Sequence, residues 1–319
     1  MRDRQLRAFL LLLAALIGFS REASAVQMDW VSVGAPGNAC DPWYSSCFGA
    51  VAYTYQISRY EVTNAQYAEF LNAVAAADPN ALYHTGMSAA YGGITRAGSS
   101  GSYSYGVIAG RGATPVNFVS FQDTIRFANW LQNGQPIGAQ GIGTTGSGGY
   151  TVTAAGIAAN SITRNPGATI VLASENEWYK AAYYSAATTS YFDYPTGSNT
   201  PPTCGAPSGA ANRANCDNIV ADLTNVGSYP GSPSPFGTYD QGGNAWEWNE
   251  TIVSGAYRVI QGGSFGNSAS WTGYLGLGLT PTYEDPYVGF RVASIPEPST
   301  GALFAAGLAA LALRRRRHR

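Results

Sequence analysis

The sequence predicts a loop-rich domain that combines three helices with several short strands. Three segments carry helix-start motifs followed by apolar residues at helical spacing. Between them lie short runs of β-forming residues separated by Gly, Ser, Pro and Asn. The composition agrees, because 39 glycines and 21 tyrosines accompany only 12% charged residues, against about 25% in a typical soluble domain.

Each predicted helix begins at a capping box, in which a hydroxyl and a carboxyl or amide group satisfy the free N–H groups of the first turn. The boxes are 63–66 (Thr-Asn-Ala-Gln), 120–123 (Ser-Phe-Gln-Asp) and 174–177 (Ser-Glu-Asn-Glu). Apolar residues on one face follow each box, and we interpret them as core rather than as a cofactor site. These residues are Tyr67, Phe70, Leu71 and Val74, then Phe127, Trp130 and Leu131, then Trp178, Ala181 and Ala182.

The predicted strands are short and widely spaced. They fall at 51–57, 150–153, 169–172, 258–260 and 288–292. The segment 133–149 is rich in Gly, Thr, Gln and Ser, which predicts an exposed loop or hairpin tip. Long loops around few strands need disulfides, aromatic packing or bound ions for stability.

The first 25 residues predict a cleaved signal peptide. Arg2, Arg4 and Arg7 precede an apolar run at 8–19, and Ala23-Ser24-Ala25 offers a cleavage site. An uncleaved membrane anchor is the alternative, but the run is shorter than the about 20 residues that span a bilayer. We therefore expect an exported protein whose main domain covers residues 26–294, with no internal repeat or linker.

The last 25 residues, 295–319, predict a sorting tail. Pro296-Glu297-Pro298 is followed by an apolar stretch at 301–313 and by Arg314–Arg317. Thirteen helical residues reach about 20 Å, too short for a permanent span of the about 30 Å hydrocarbon core. The pattern resembles the PEP-CTERM sorting signal of Gram-negative bacteria, which implies an exosortase-type protease as partner, transient membrane contact through 301–313, and a place in the envelope, on the outer surface or in the extracellular matrix.

The charge of the predicted mature domain is strongly acidic. Nine of the 18 lysines and arginines and sixteen of the 19 acidic residues lie between 26 and 294, which gives about −7. Such a surface repels phosphate backbones, so nucleic acid is excluded as a partner class. It suits divalent cations better.

Four cysteines fall in this domain, in two local pairs. Cys40 and Cys47 enclose one short loop, and Cys204 and Cys216 a longer one. In an oxidising compartment two local disulfides are expected. A catalytic or metal role for either pair is the alternative, but no histidine accompanies them.

Six segments follow one another along the predicted domain: 57–67 (Ile-Ser-Arg-Tyr-Glu-Val-Thr-Asn-Ala-Gln-Tyr), 115–117 (Pro-Val-Asn), 174–178 (Ser-Glu-Asn-Glu-Trp), 242–248 (Gly-Gly-Asn-Ala-Trp-Glu-Trp), 262–265 (Gly-Gly-Ser-Phe) and 288–293 (Val-Gly-Phe-Arg-Val-Ala). In this order they resemble the formylglycine-generating (sulfatase-modifying factor) family. This resemblance implies an irregular α+β fold with little regular secondary structure, about three main helices and a relationship to the C-type lectin fold, usually stabilised by calcium.

The same resemblance implies a calcium loop. By position, its ligands are Asp240, the carbonyl oxygens of Gly243 and Ala245, and Glu247, with Asp240 standing where the family has asparagine. The alternative is a buried Glu247 satisfied by backbone N–H groups. A second calcium site would use Asn215 and Asp222. Cofactors of one or two calcium ions are therefore expected.

The copper site of the family is missing. Formylglycine generation uses two cysteines shortly after the Gly-Gly-Ser motif, and Asn267 and Thr272 stand at those positions. Neither side chain suits Cu(I), which requires soft thiolates, and no cysteine follows Cys216. No copper is expected. His84, the one histidine between 26 and 294, does not make an iron site by itself, and we expect it to be exposed or hydrogen-bonded.

Three functions fit these observations. The first is a non-catalytic module that holds a surface glycan or peptide in the groove where the family binds its peptide, here lined by Ser264, Asn267, Trp271, Thr272 and Tyr274. The second is an oxidase or hydroxylase of the family with a different metal arrangement. The third is a structural surface protein whose groove binds nothing.

Overall fold

The protein is described by a computed structural model over residues 25–43, 46–273 and 276–296. The signal-peptide prediction, apart from Ala25, lies outside the described residues, as does the tail beyond Pro296. Tyr274 also lies outside them. Within the described ranges, no helix is both long and apolar enough to cross a bilayer.

All three predicted helices form, and each begins at its capping box. Helix α1 (Asn64–Val74), helix α2 (Phe121–Gln132) and helix α4 (Glu175–Tyr183) follow the boxes at 63–66, 120–123 and 174–177. In each box the side chain of the cap residue and the side chain three positions later satisfy each other's backbone N–H groups. Local hydrogen bonding therefore sets these helix starts.

The predicted strand at 150–153 is wrong. Tyr150 makes only an isolated bridge with Arg164, and Thr153 caps the short helix α3 (Ala154–Ala158). The reason is a side chain distant in sequence, because the Asn129 amide donates to the Tyr150 carbonyl at 3.0 Å and accepts from its N–H at 2.7 Å. The buried side-chain amide of Asn129 therefore makes the backbone hydrogen bonds that a strand partner of Tyr150 would make.

Two four-stranded sheets form the framework. The first has the order β1-β4-β16-β7 and the second β14-β13-β12-β15. The first contains β1 (Trp30–Val33), β4 (Tyr55–Ser58), β7 (Ile170–Leu172) and β16 (Val292–Ser294); the second contains β12 (Trp246–Val253), β13 (Tyr257–Gln261), β14 (Leu277–Leu279) and β15 (Val288–Phe290). Strand β15 runs parallel to β12, whereas the other pairs in these sheets are antiparallel.

The run 288–292, predicted as one strand, is divided between the two sheets. Phe290 ends β15 and Val292 begins β16. Arg291 stands at the crossing, with its side chain fully buried. The residue that connects the two sheets at this point is therefore a buried arginine.

The remaining strands form small two-stranded pairs around this framework. They are β2 (Asp41–Trp43) with β3 (Ser46–Phe48), β5 (Ile94–Ala97) with β6 (Ser104–Val107), β8 (Tyr184–Ser185) with β9 (Ser190–Tyr191), and β10 (Thr203–Cys204) with β11 (Arg213–Ala214). Both predicted disulfides, Cys40–Cys47 and Cys204–Cys216, are present at such pairs.

An aromatic core fills the space between the helices and the sheets. Tyr67 and Phe70 of α1 pack against Phe127 of α2, and Phe127 meets Phe290 of β15 edge to face at 5.4 Å. The apolar faces read from the sequence are thus core, since buried aromatic pairs of this kind stabilise by contact as well as by burial. The segment 133–149 is a partly exposed loop, with Ile142 at its surface and Thr145 buried.

Candidate functional site

The loop 240–247 turns tightly before it enters β12. Gly243 has a φ of +87°, and a Cβ at this position would lie 2.3 Å from the carbonyl oxygen of Asn215. Only glycine fits such an approach. The alternation along β12 then directs Trp246 and Glu247 to opposite faces of the second sheet, as the sequence predicts.

Glu247 faces inward and is neutralised by Arg291. The guanidinium donates from Nε to Oε2 at 2.5 Å and from Nη2 to Oε1 at 2.6 Å, and the Trp178 indole donates to Oε2 at 2.7 Å. Both charged side chains are fully buried. The donors on this carboxylate are therefore side chains, rather than the backbone N–H groups of the alternative interpretation.

The cluster around Arg291 contains more acid than base. Glu61 accepts a hydrogen bond from Asn244 at 3.1 Å through Oε1. Its buried Oε2 has no hydrogen-bond partner among the described residues and lies 4.0 Å from Arg291 Nη2. Asp240 accepts from the Gly227 N–H at 2.6 Å. Three carboxyl groups thus share one guanidinium.

Burial and the surplus of carboxyl groups around Arg291 raise the pKa values of two of these groups, Glu61 and Asp240. Burial, followed by the charge of Asp240, raises the pKa of Glu61 well above its usual range. Burial likewise raises the pKa of Asp240 to about 6. A bound cation would relieve the same repulsion without a proton.

The residues of the predicted calcium loop fit a hard cation in part. In the described part of the chain, no side chain and no N–H group of a loop or turn donates to the carbonyl oxygens of Gly243 and Ala245, and Asp240 supplies a carboxylate from the same loop. Glu247 fits less well, because three donors already use its oxygens and a carboxylate offers about four lone-pair sites. In the described ranges no three His, Cys, Asp or Glu side chains converge as metal ligands, so backbone oxygens would have to contribute.

The second predicted calcium site, which consists of Asn215 and Asp222, is only partly assembled. Asn215 donates from Nδ2 to the Asp222 carbonyl at 2.8 Å and to Asn244 Oδ1 at 3.1 Å, and within the described ranges its own buried Oδ1 has no hydrogen-bond partner. The Asp222 carboxylate turns instead to Arg111, which donates to it at 2.8 and 3.0 Å. A calcium ion here would gain the Asn215 oxygen but would compete with Arg111.

On the opposite face of the second sheet lies an open pocket of about 270 Å³. Its floor is the sheet itself, and its rim is formed by the loop after the Gly-Gly-Ser motif and by the loop 280–287. The floor residues are Trp246, Ile260, Leu277, Leu279 and Val288, and the rim residues are Ser264, Gly266, Asn267, Tyr283, Asp285 and Tyr287.

Two of the five predicted groove residues line this pocket, namely Ser264 and Asn267. Trp271 lies behind it and packs edge to face against Trp246 at 6.1 Å. Thr272 is fully buried and donates its hydroxyl to the Ala269 carbonyl at 2.7 Å, so it does not line the groove. Tyr274 lies outside the described residues.

Several residues of both sites were not singled out from the sequence. Glu61 and Arg291 lie within the quoted motifs. Because a buried charge requires a partner of opposite charge, the sequence could have identified these two residues as candidate partners. The rim residues Tyr283, Asp285 and Tyr287 lie in no motif, and only the fold brings their loop to the sheet. His84 accepts the Gly86 N–H at Nδ1 and stacks on Phe118, which makes it a hydrogen-bonded histidine as predicted.

Comparisons with known proteins bear on the fold and the ends of the chain. The family model "Sulfatase-modifying factor enzyme 1-like domain" matches residues 50–295, and the model "PEP-CTERM protein-sorting motif" matches residues 294–317. A comparison with curated protein sequences gives no match.

Two solved structures share the fold. The crystal structure of CarF is 20% identical, covers 85% of this chain and 99% of its own, and has a TM-score of 0.53. Treponema denticola variable protein 1 is 18% identical, covers 86% of this chain and 97% of its own, and has a TM-score of 0.56. These matches confirm the predicted irregular α+β fold.

Proposed function

Because the chain belongs to the sulfatase-modifying factor family and ends in a PEP-CTERM motif that marks export to the Gram-negative cell envelope, we propose that it is a non-catalytic binding module of the cell surface or matrix. In this proposal the family scaffold holds a surface glycan or peptide, and exosortase processes the tail.

The pocket on the second sheet is the observation that carries the proposal. Aromatic and apolar residues form its floor, and a few convergent polar groups stand at its rim, which is the usual composition of a binding site. At the two copper positions of the family, Asn267 binds Ser264 and Thr272 is buried. Neither residue offers a thiolate to a redox metal, and Asn267 stands at the pocket rim, where its side chain can contact a ligand.

We propose calcium as a structural cofactor of the loop below the pocket floor. Asp240 and the carbonyl oxygens of Gly243 and Ala245 would hold it, and the surplus of buried carboxyl groups supports a cation there. Bound calcium would supply positive charge that fixes the loop. Asn215 would serve a second ion if Arg111 released Asp222.

Binding is tested on the exported protein with glycan and peptide arrays. Tyr283→Ser removes an exposed rim ring, and Tyr257→Ser, an exposed tyrosine on β13 outside the pocket, is the matched control. We expect at least one ligand whose signal is lost in the first variant and kept in the second. Absence of any ligand would leave the purely structural protein as the better interpretation.

Elemental analysis distinguishes the binding module from the oxidase. After dialysis without chelator, we expect one or two equivalents of calcium and no redox metal. Stoichiometric copper or iron would contradict the proposal and favour an enzyme of the same family.

A further inference from the structure

The pocket is small, and one face of the second sheet forms its floor. A volume of about 270 Å³ is below the range of pockets that hold drug-sized ligands. It accommodates one ring or one side chain. Tyr283 and Tyr287 provide the exposed aromatic surface on which the C–H face of a sugar ring can stack, whereas Trp246 is only 5% exposed.

The rim provides one acceptor and one donor with fixed orientations. Asp285 accepts from the Tyr287 N–H at 2.9 Å through Oδ1 and from the Tyr283 hydroxyl at 2.9 Å through Oδ2. These bonds hold the carboxylate in place and leave each oxygen a lone pair.

On the other side of the rim, the side chain of Asn267 is also held in place by two hydrogen bonds. Asn267 accepts the Ser264 N–H at 3.0 Å and the Ser264 hydroxyl at 2.7 Å, both through Oδ1. In the part of the chain that the structure describes, its Nδ2 donates to no protein atom, and the residue is half-buried in the pocket lining. An amide donor and a carboxylate acceptor are the partners that ring hydroxyls require.

The charge of the lining excludes acidic ligands. Among the lining residues that the structure describes, Asp285 is the one charged side chain, and none is Lys, Arg or His. The nearby Glu284 turns away and hydrogen-bonds to Asp123 of α2. A carboxylate, sulfate or phosphate on a ligand would therefore meet a negative group with no compensating cation.

We infer that the pocket binds an uncharged sugar ring of a surface polysaccharide and rejects uronic acid and other anionic sugars. This inference rests on the proposed binding function and names its ligand class. The ring would stack on the rim tyrosines, Tyr283 and Tyr287, while its hydroxyl groups bridge Asp285 and Asn267.

The test uses trisaccharides in matched pairs: glucose with glucuronate, galactose with galacturonate, and mannose with mannuronate. Binding to the exported protein is followed by tryptophan fluorescence, since Trp246 lies in the floor. We expect at least one neutral trisaccharide to bind about tenfold or more tightly than its uronate, a difference of about 1.4 kcal/mol, because the uronate carboxylate would oppose the charge of Asp285.

The variant Asp285→Asn shows whether the selectivity comes from the charge of Asp285 itself or from the overall charge of the protein. This variant should lose affinity for the neutral trisaccharide and bring the neutral-to-uronate ratio close to one. Glu69→Gln removes the same charge from an exposed site on α1 and should change neither. Tyr283→Ser checks that the signal comes from the pocket.

Each remaining outcome counts against the inference. Equal or tighter binding of a uronate, or a ratio unchanged by Asp285→Asn, would overturn it. Binding of peptides alone would overturn it while leaving the binding module intact. Binding of neither sugars nor peptides would overturn both.

Discussion

The buried guanidinium of Arg291 holds three parts of the molecule together. Besides its two bonds to Glu247, it donates to the carbonyl oxygens of Ser58 at 3.0 Å, Arg59 at 3.1 Å and Tyr239 at 2.8 Å. Arg291→Met keeps the approximate side-chain volume but removes every one of these bonds. It also leaves Glu247 buried without its cation.

The expected loss of stability is large. Removing one partner of a fully buried ion pair costs about 3–5 kcal/mol, because the remaining charge is uncompensated. Glu61 and Asp240 face the same guanidinium, which places the loss at the upper end of that range. At roughly 2–4 °C per kcal/mol for a domain of this size, the Tm should fall by about 10 °C or more.

Urea unfolding followed by tryptophan fluorescence measures the difference. Arg59→Met is the matched control, because Arg59 pairs with Asp29 at 2.9 Å on the surface, with side chains 34% and 56% exposed. Exposed pairs of this kind contribute about 1 kcal/mol or less. If Arg291→Met cost no more than Arg59→Met, the assignment of Arg291 as the central buried cation would be refuted.

Three further predictions concern stability. Burial and the neighbouring acid raise the pKa of Glu284 to about 8, and burial raises that of Asp123 to about 6, so the folded state binds these protons more tightly. Stability should therefore fall as pH rises from about 5 to 9, and Glu284→Gln should flatten this fall in thermal unfolding scans; an identical pH profile in the variant would contradict the pairing. Gly243→Ala should destabilise the domain by clearly more than Gly110→Ala in urea unfolding, since both have positive φ but only Gly243 also meets a backbone oxygen; equal losses would show that the close approach is unimportant. Replacing Cys204–Cys216 by serines should cost about 3 kcal/mol by the same assay, the value expected for a short closed loop, and an unchanged midpoint would contradict a stabilising role.

Local chemistry explains why the helices and disulfides could be predicted. A capping box is complete within four residues, so the start of α1 at Asn64 is encoded where it occurs. A short loop between two cysteines likewise brings them together without help from the rest of the fold. The failed strand at 150–153 shows the limit, because the amide that captures Tyr150 comes from Asn129, 21 residues earlier.

The sequence by itself determined the family, the three helix starts, the cysteine pairing and the candidate loop around Glu247. Only the tertiary structure decided that Glu247 faces Arg291, and that Tyr283 and Asp285 complete a pocket with Asn267. Capping and turn formation depend on neighbours a few residues away, and those neighbours are visible in the sequence. A buried ion pair or a pocket rim depends on residues far apart in the chain, and the two sheets must assemble before their charges and rings meet.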